Sequence, residues 1–395
     1  MKPHAAFLFI AKSFFFDLAR YKNWKLKMLA LSDKNYLTIL KWRQGEYQAL
    51  FHLEDAIKDR VTPLLEIPEE QWDFEAQAPS KSLDEHLKAF GRRLNAKWKN
   101  RYCFIDSCHI SNDKKMADGT HHLERIFDLA RDEDGLAIPT VGLSRSSAYC
   151  QAVKRIVALD KRGVCIRLEP KDFANDLSKQ LLKLTQSLAV ESNEVHLLID
   201  TSDMMNEDAG TLAEWWMHLL GQIPNASSWA SLIIAGSSFP QTLSPLMFRP
   251  DGQAPRNEWF AYKIINEKVR NKNGRIPTFG DYACASPRTA NIDPRVIDPN
   301  AKIKYTTDDS WLVTVGKQVK KNGRSQYQGL CESIINHRSN VYKGKNYSHG
   351  DKFVFDCANG GGTGGSSTWP SVASNHHITT VVRNLASFSG SSNIP

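Results

Sequence analysis

The sequence predicts a (β/α)8 barrel, a closed ring of eight parallel strands with helices outside it, followed by a small α+β C-terminal lobe. Three observations favour this fold. Eight short apolar runs recur between residues 36 and 285, helix-patterned sequence fills nearly all the gaps, and most runs end in a charged or hydroxyl residue. Strands that alternate with helices form parallel sheets, and eight such units are what a barrel requires.

The predicted strands are separated by gaps long enough for a right-handed crossover helix. A doubly wound sheet is the competing layout, but it has a glycine-rich first turn, and no GxGxxG follows the first run here. The eight strands are predicted at 36–42, 60–67, 102–107, 137–144, 163–170, 194–203, 230–238 and 275–282.

Seven helices are predicted in the gaps from apolar residues at helical spacing. The second begins at Ser82 and has Glu85 three residues later, which is the pattern of a capping box. The helices are predicted at 45–60, 82–99, 121–133, 146–159, 176–189, 211–223 and 257–270.

The chain is longer than one barrel needs, which predicts a second folded unit. We expect an N-terminal extension at 1–31, the barrel at 32–285, a proline-containing linker at 286–302, the lobe at 303–388 and a tail at 389–395. Within the lobe, a hairpin is predicted at 303–318, helices at 326–337 and 376–388, and a glycine-rich loop at 350–370.

Composition describes a soluble globular protein, with 41% hydrophobic and 24% charged residues. The net charge of +8 is a modest argument for a phosphate-bearing partner such as a nucleotide or nucleic acid. Basic residues cluster at 268–275 and 317–324, which predicts weak nucleic-acid binding that falls steeply with salt. Solvated surface faces are the alternative interpretation.

The seven cysteines are odd in number and form no CxxC pair, so we expect reduced thiols in a cytoplasmic protein. The apolar stretch 5–19 contains Lys12 and Asp17 and is too short and too charged to span a membrane. An amphipathic helix, or an upstream extension with Met28 as the true start, is expected there instead.

A barrel of this kind carries its chemistry at the C-terminal ends of its strands. We interpret Asp106, Glu169 and Asp200 as catalytic candidates that could hold a divalent cation such as Mg²⁺ or Mn²⁺. Helix caps or ion pairs across the rim are the alternative. The strand ends supply Lys41, Glu66, Asp106, Ser144, Arg167, Glu169, Asp200, Asp203, Ser237 and Asp281.

Cations and an aromatic residue follow the first strand, in the order Lys41, Trp42, Arg43, with Glu46 close behind. Charge and stacking together would suit a phosphate or a nucleobase, so we interpret these residues as substrate-binding candidates. A structural turn, in which Gly45 supplies backbone freedom, is the alternative.

The glycine run at 360–365 lacks the lysine of a phosphate-binding loop and predicts a mobile loop. Such a loop beside a barrel mouth works as a lid, so we expect His376 or His377 to face the rim acids, with His376 as a candidate base. Asp351, Trp369 and Asn375 are expected near the same site. A lobe packed on the side of the barrel is the alternative.

The runs YLTILKWRQGEYQAL and RVTPLLEIP near the start, with GD..F.F..A, TWP and NHHIT near the end, resemble the phage and bacterial "beta protein" family. The resemblance spans about residues 34–385. It implies a setting in phages and in bacterial genomic islands that often carry anti-phage systems, and it implies no reaction.

Two functions from different classes are expected. The first is a sensor or partner subunit of an anti-phage or phage-encoded system, acting with a nuclease or ATPase encoded nearby and holding a ligand at the barrel rim. The second is a metal-dependent hydrolase that acts on a nucleotide or nucleic acid at the same rim. The absence of a recognised catalytic motif favours the first, and the number of acids at the rim favours the second.

Overall fold

The computed structural model describes residues 28–204, 207–240, 252–287 and 298–388. The predicted helix or extension at 5–19, residues 288–297 of the predicted linker, and the tail 389–395 lie outside the described residues. No helix within the described ranges is long and apolar enough to cross a membrane.

Eight parallel strands close into a barrel, which confirms the predicted (β/α)8 fold. The barrel strands are β1 (Tyr36–Lys41), β2 (Val61–Glu66), β5 (Tyr102–Asp106), β6 (Leu136–Val141), β7 (Val164–Leu168), β8 (Val195–Asp203), β9 (Ser231–Ser237) and β11 (Thr278–Asp281). They are neighbours around the ring in this order, and β11 pairs with β1, where Leu37 lies opposite Gly280.

Most outer helices lie where helical spacing predicts them. The predicted helix 45–60 is divided in two, and so is 82–99, where the Ser82 Oγ accepts a hydrogen bond from the Glu85 N–H at 3.3 Å. The helices up to the end of the barrel strands are α1 (Gln44–Phe51), α2 (Asp55–Lys58), α3 (Leu83–Leu87), α4 (Phe90–Trp98), α5 (His122–Arg131), α6 (Ser147–Asp160), α7 (Leu177–Leu188), α8 (Ala209–Gly221) and α9 (Asn257–Asn271).

Alternation along each strand divides the apolar residues into two groups. One set points into the barrel and forms a cluster that includes Leu37, Leu64, Phe104 and Leu198. The residues between them, such as Ile105, point outward and pack under the helices. The side chain two positions after each of these inward-facing residues therefore points into the C-terminal opening of the barrel, which we call the mouth.

The lobe is built on a three-stranded antiparallel sheet in the order β10 (Gln253–Pro255), β13 (Ser310–Gln318), β12 (Asn300–Thr306). The predicted hairpin supplies two strands, and the third comes from the segment before α9. A separate two-stranded hairpin, β3 (Trp72–Asp73) with β4 (Ala78–Pro79), follows β2. The lobe helices are α10 (Val319–Asn322), α11 (Gln326–Ile335), α12 (His349–Ala358) and α13 (Thr368–Phe388).

Helix α12 shows that the prediction of a loop over 350–370 is wrong for its first half. Ser348 caps the helix by accepting a hydrogen bond from the Asp351 N–H at 3.1 Å, and Val354 and Cys357 face the lobe core. Helix α13 also begins earlier than the predicted 376, with Pro370 in its first turn, where a proline is tolerated.

Helix α13 occupies the eighth position of the outer ring. It packs against α1 on one side, and its Phe388 contacts Trp259 of α9 on the other, with ring centroids 6.3 Å apart. Its residues Ile378, Val381 and Leu385 belong to the apolar core beneath the barrel helices. The predicted 303–388 lobe thus contributes the last barrel helix, and residues 282–367 are an insertion between the eighth strand and the eighth helix.

Gly45 permits this packing. It lies in α1, and a Cβ at this position would be 2.7 Å from the Pro370 Cβ of α13, closer than real Cβ atoms approach one another. The glycine is therefore required by helix contact, in place of the backbone freedom that the sequence interpretation gave it.

We expect Val381→Asp to destabilise the whole barrel. The side chain is fully buried, and an unpaired carboxylate there should lower the free energy of unfolding by at least about 3 kcal/mol. Urea denaturation measures the loss, and hydrogen exchange of β1 shows whether the barrel shares it. Leu159→Asp, at a side chain 59% exposed, is the control. Unchanged protection of β1 in Val381→Asp would contradict the placement of α13 in the ring.

Candidate functional site at the barrel mouth

Five charged side chains meet at the C-terminal mouth of the barrel. Each lies two positions beyond an inward-facing residue, so the alternation of the strands directs it into the mouth. They come from β1, β2, β5, β7 and β8, and are Lys41, Glu66, Asp106, Arg167 and Asp200.

Arg167 is the centre of this group, and all five of its N–H donors have an acceptor. Nε donates to Asp200 Oδ2 at 2.8 Å, Nη1 to Asp106 Oδ2 at 2.8 Å, and Nη2 to Glu66 Oε1 at 2.9 Å. Nη2 also donates to the Tyr282 hydroxyl at 2.9 Å, and Nη1 has Cys108 Sγ at 4.0 Å. The guanidinium joins three strands' acids into one network.

Tyr282 completes the inner network. Its hydroxyl accepts from Arg167 and donates to Asp200 Oδ2 at 2.6 Å. Burial, with Asp200 alongside, raises the pKa of Tyr282 well above its usual value, so the hydroxyl keeps its proton. It is therefore fixed as a donor to the carboxylate.

Three loop residues form a second layer around the acids. Arg145 Nη2 donates to Asp106 Oδ1 at 2.6 Å and its Nη1 to Asn112 Oδ1 at 3.0 Å. His109 Nε2 donates to Glu66 Oε2 at 3.0 Å, and the imidazole is 31% exposed. With these contacts, each carboxylate oxygen of Glu66 and Asp106 accepts a hydrogen bond. Arg145 and His109 lie nearer to solvent than the acids do.

Electrostatics keeps Glu66 charged and the neighbouring Cys108 thiol neutral. Although burial opposes ionisation of Glu66, the Arg167 charge and the His109 hydrogen bond lower its pKa to about 2. Burial, reinforced by Asp106 and Glu66, raises the pKa of Cys108 well above that of an ordinary thiol. Cys108 is thus a poor nucleophile in this setting.

A cleft of about 410 Å³ opens above the network, a size usual for small-molecule sites. Its walls carry both hydrogen-bond donors and acceptors. The polar lining is Glu66, Asp106, His109, Asn112, Ser144, Arg145, Arg167, Glu169, Asp200, Ser202 and Tyr282.

The predicted metal ligands do not offer their oxygens to one Mg²⁺ or Mn²⁺ ion. Both oxygens of Asp106 accept from arginines, and Asp200 accepts from Arg167, Tyr282 and the Ser202 N–H. Glu169 lines the cleft, but its carboxylate is half exposed and pairs with Lys171 at 2.6 Å. The three acids therefore do not fit the hard-cation site that the sequence led us to expect.

Asp281 and His377 lie outside the mouth. Asp281 follows the outward-facing Phe279, accepts from the Tyr36 hydroxyl, and lies 2.9 Å from His377 Nε2. The other imidazole nitrogen of His377 is 2.9 Å from Thr306 Oγ1, so the buried ring connects β11 to β12.

His376 is also enclosed, and it does not line the mouth cleft. Its Nδ1 lies 2.7 Å from Asp351 Oδ2 and its Nε2 2.7 Å from the Thr306 carbonyl oxygen. Asp351 and the backbone of Thr306 thus engage both ring nitrogens away from the mouth cleft. The lid expectation, in which a histidine faces Asp106, Glu169 and Asp200, is not supported by these contacts.

The remaining candidates divide between the core, the rim and a second cavity. Trp42 is buried against Tyr47 and Phe90, whereas Arg43 is exposed. Ser237 donates to the Ala285 carbonyl, and Asp203 ends β8 opposite Ser237.

The candidates from α13 and α1 lie beside the lobe. Asn375 donates to the Ala49 carbonyl and accepts from the Gly350 N–H. Glu46 and Trp369 line a separate cleft beside the lobe.

Sequence reasoning missed several residues of the mouth. Tyr282 could have been found, because strand alternation that directs Asp281 outward directs Tyr282 inward. Cys108, His109 and Arg145 lie in loops after their strands, where no periodicity indicates a direction.

We expect Glu66→Gln to destabilise the protein in a pH-dependent way. The folded pKa of Glu66 is depressed, so its charge stabilises the fold above about pH 4.3, and this contribution is lost as pH falls towards 2. The variant should lose roughly 1–3 kcal/mol at pH 7, and the difference should shrink below about pH 5. Urea unfolding across pH measures both, with the exposed Glu54→Gln as control. A difference constant with pH would contradict the ion pair.

Comparison with known proteins gives a family and no activity. Residues 36–383 match the Beta protein family. No curated protein matches the chain. A solved triosephosphate isomerase from Bartonella henselae aligns with a TM-score of 0.32 and 9% identity, over 62% of this chain and 90% of that one. The fold assignment therefore rests on the closed ring of strands itself. By the match over most of its length, the chain belongs to the Beta protein family.

Proposed function

We propose that this protein binds a small polar ligand in the barrel mouth and acts as a sensor or partner subunit, without hydrolysing the ligand. The observation that carries the proposal is the saturated Arg167 network. Hydrolysis with a metal needs carboxylates that face the ion, whereas these acids face guanidinium groups. A network satisfied in this way gives a rigid floor for recognition.

The second layer supplies the recognition groups. His109, Asn112, Ser144 and Arg145 line the cleft above the floor and offer donors and acceptors to a ligand. The cleft volume of about 410 Å³ suits a nucleoside-sized molecule or part of a nucleotide. Arg145 is the strongest candidate for an anionic group, because its guanidinium is held at one edge by Asp106 and Asn112.

The sensor role places this ligand in an anti-phage or phage-encoded system, with a nuclease or ATPase encoded nearby as partner. The genomic setting that the family resemblance implies supports this part of the proposal. Pull-down of tagged protein co-expressed with neighbouring gene products, with and without ligand, tests it. Absence of any ligand-dependent association would count against the partner role.

The hydrolase alternative has one observation in its favour. Glu66, Cys108 and His109 bring one carboxylate, one thiol and one imidazole ligand atom within 4.8 Å of one another. This mixed donor set suits Zn²⁺ better than Mg²⁺. Zinc bound there would supply Lewis acidity, while the Arg167 network would orient Glu66.

Binding and turnover of one ligand separate the two functions. A thermal-shift panel of nucleosides, nucleotides and small polar metabolites identifies the ligand. Arg145→Gln should then weaken binding at least tenfold, while Arg155→Gln, the same change on an outer helix, should not. Mass spectrometry should recover the ligand unchanged after incubation with Mg²⁺, Mn²⁺ or Zn²⁺.

Conversion of the ligand by wild type, lost in His109→Asn, would overturn the binding proposal in favour of the hydrolase. His109→Asn is a better variant than changes at Asp106 and Asp200, because those would leave the buried Arg167 charge without partners. Breaking such a pair costs about 3–5 kcal/mol and would confuse loss of activity with loss of the fold.

A further inference from the structure

A second cleft of about 330 Å³ lies where the inserted lobe meets the barrel. We call it the lobe cleft, and define it by Lys302, Lys304, Arg324, Trp369 and Ser374, which line it. Strand β12 forms one wall and helix α13 the other. It is distinct from the mouth cleft, with which it shares no lining residue.

Three cations face this cleft. Lys302 and Lys304 alternate with the buried Ile303 and Tyr305 on β12, so both point to the same side of the strand. Arg324 joins them from the turn between α10 and α11. Within the described ranges, no carboxylate lies within 4.0 Å of the charged nitrogens of these three residues.

The hydrogen bonds that these cations make are to neutral carbonyl oxygens. Lys304 Nζ donates to the Cys284 carbonyl at 2.6 Å and lies 4.3 Å from the centre of the Phe239 ring. Arg324 Nη1 donates to the Gly364 carbonyl at 3.2 Å. Carbonyl groups orient the cations but leave their charge uncompensated, which is costly for the half-buried Lys304.

The titration behaviour agrees with this geometry. Burial, with Lys302 adding repulsion, lowers the pKa of Lys304 to about 8. Burial also raises the pKa of Glu46, which lines the same cleft. An anion that entered the cleft would restore the full charge of Lys304.

An apolar surface forms another part of the wall. Trp369 stacks on Tyr327 with ring centroids 4.4 Å apart, and Pro370, Val319 and Ala373 continue the surface. A free inorganic ion would leave this surface in contact with water. A ligand with an apolar or aromatic body would bury it.

We propose that the lobe cleft binds an organic anion, with its phosphate or carboxylate against Lys302, Lys304 and Arg324 and its apolar body against Trp369 and Pro370. The site stands on its own residues and does not depend on the ligand of the barrel mouth.

Pyridoxal 5′-phosphate is a direct probe, because it carries an aromatic body, a phosphate and an amine-reactive aldehyde. The unprotonated Lys304 amine attacks the aldehyde carbon, the carbonyl oxygen leaves as water, and borohydride reduces the imine to a stable amine. At pH 7.5 roughly a quarter of amines with a pKa of about 8 are unprotonated, against about one in a thousand for an ordinary lysine. Lys304 should therefore be labelled at least tenfold faster than the exposed Lys154 of α6.

Protection from labelling identifies the anion. Inorganic phosphate, adenosine monophosphate and benzoate are compared at equal ionic strength, with sodium chloride as the screening control. One class should slow labelling of Lys304 at least fivefold, phosphate ligands if the natural group is a phosphate and benzoate if it is a carboxylate. Arg324→Gln and Lys302→Gln should each reduce that protection at least fivefold, while Lys154→Gln and the mouth variant Arg145→Gln should leave it unchanged.

The proposal is overturned if Lys304 is labelled no faster than Lys154, or if sodium chloride protects as well as the anions do. It is also overturned if Arg324→Gln and Lys302→Gln, with melting temperatures like that of wild type, retain full protection. Both residues are exposed, so neither substitution is expected to disturb the fold.

Discussion

A guanidinium group that protein almost fully encloses needs anions within reach, because removing a charge from water costs several kcal/mol unless it is paired. Arg167 is such a group, with its side chain 12% exposed at the mouth of the barrel. Its five donors determine where the Glu66, Asp106 and Asp200 carboxylates point. Arg167 also holds the hydroxyl of Tyr282, and it is a main cause of the depressed pKa of Glu66 and of the misfit to Mg²⁺.

A separate set of contacts holds the inserted lobe on the barrel. The residues that make these contacts lie in the segments that carry the family resemblance. Gly45 of the first segment admits Pro370 of the TWP segment. Asp351 of the GD segment lies against His376 of NHHIT, whose neighbour His377 reaches Asp281. These motifs are accounted for by packing of the eighth helix, and they need no catalytic role to explain their presence.

Prediction from sequence succeeded where the physics is local. Apolar runs located all eight strands, and strand ends located Glu66, Asp106, Arg167 and Asp200, because the side-chain period of a strand is intrinsic to its backbone. Prediction from sequence failed where contacts join distant parts of the chain. The placement of α13 depends on contacts such as that between Asn375 and Ala49, which are 326 residues apart. Lys304 was missed because its neighbours in the cleft come from separate segments.

The insertion between the eighth strand and the eighth helix has a consequence for the order of folding. The ring closes between β1 and β11, and α13 covers that seam only after the whole lobe has been synthesised. Forming contacts across so long a stretch of chain carries a loop-closure entropy cost before any native contact repays it. During synthesis the outer face of β1, with the hydroxyl of Tyr36 and the apolar side chain of Leu40, therefore stays exposed to solvent until α13 has been made.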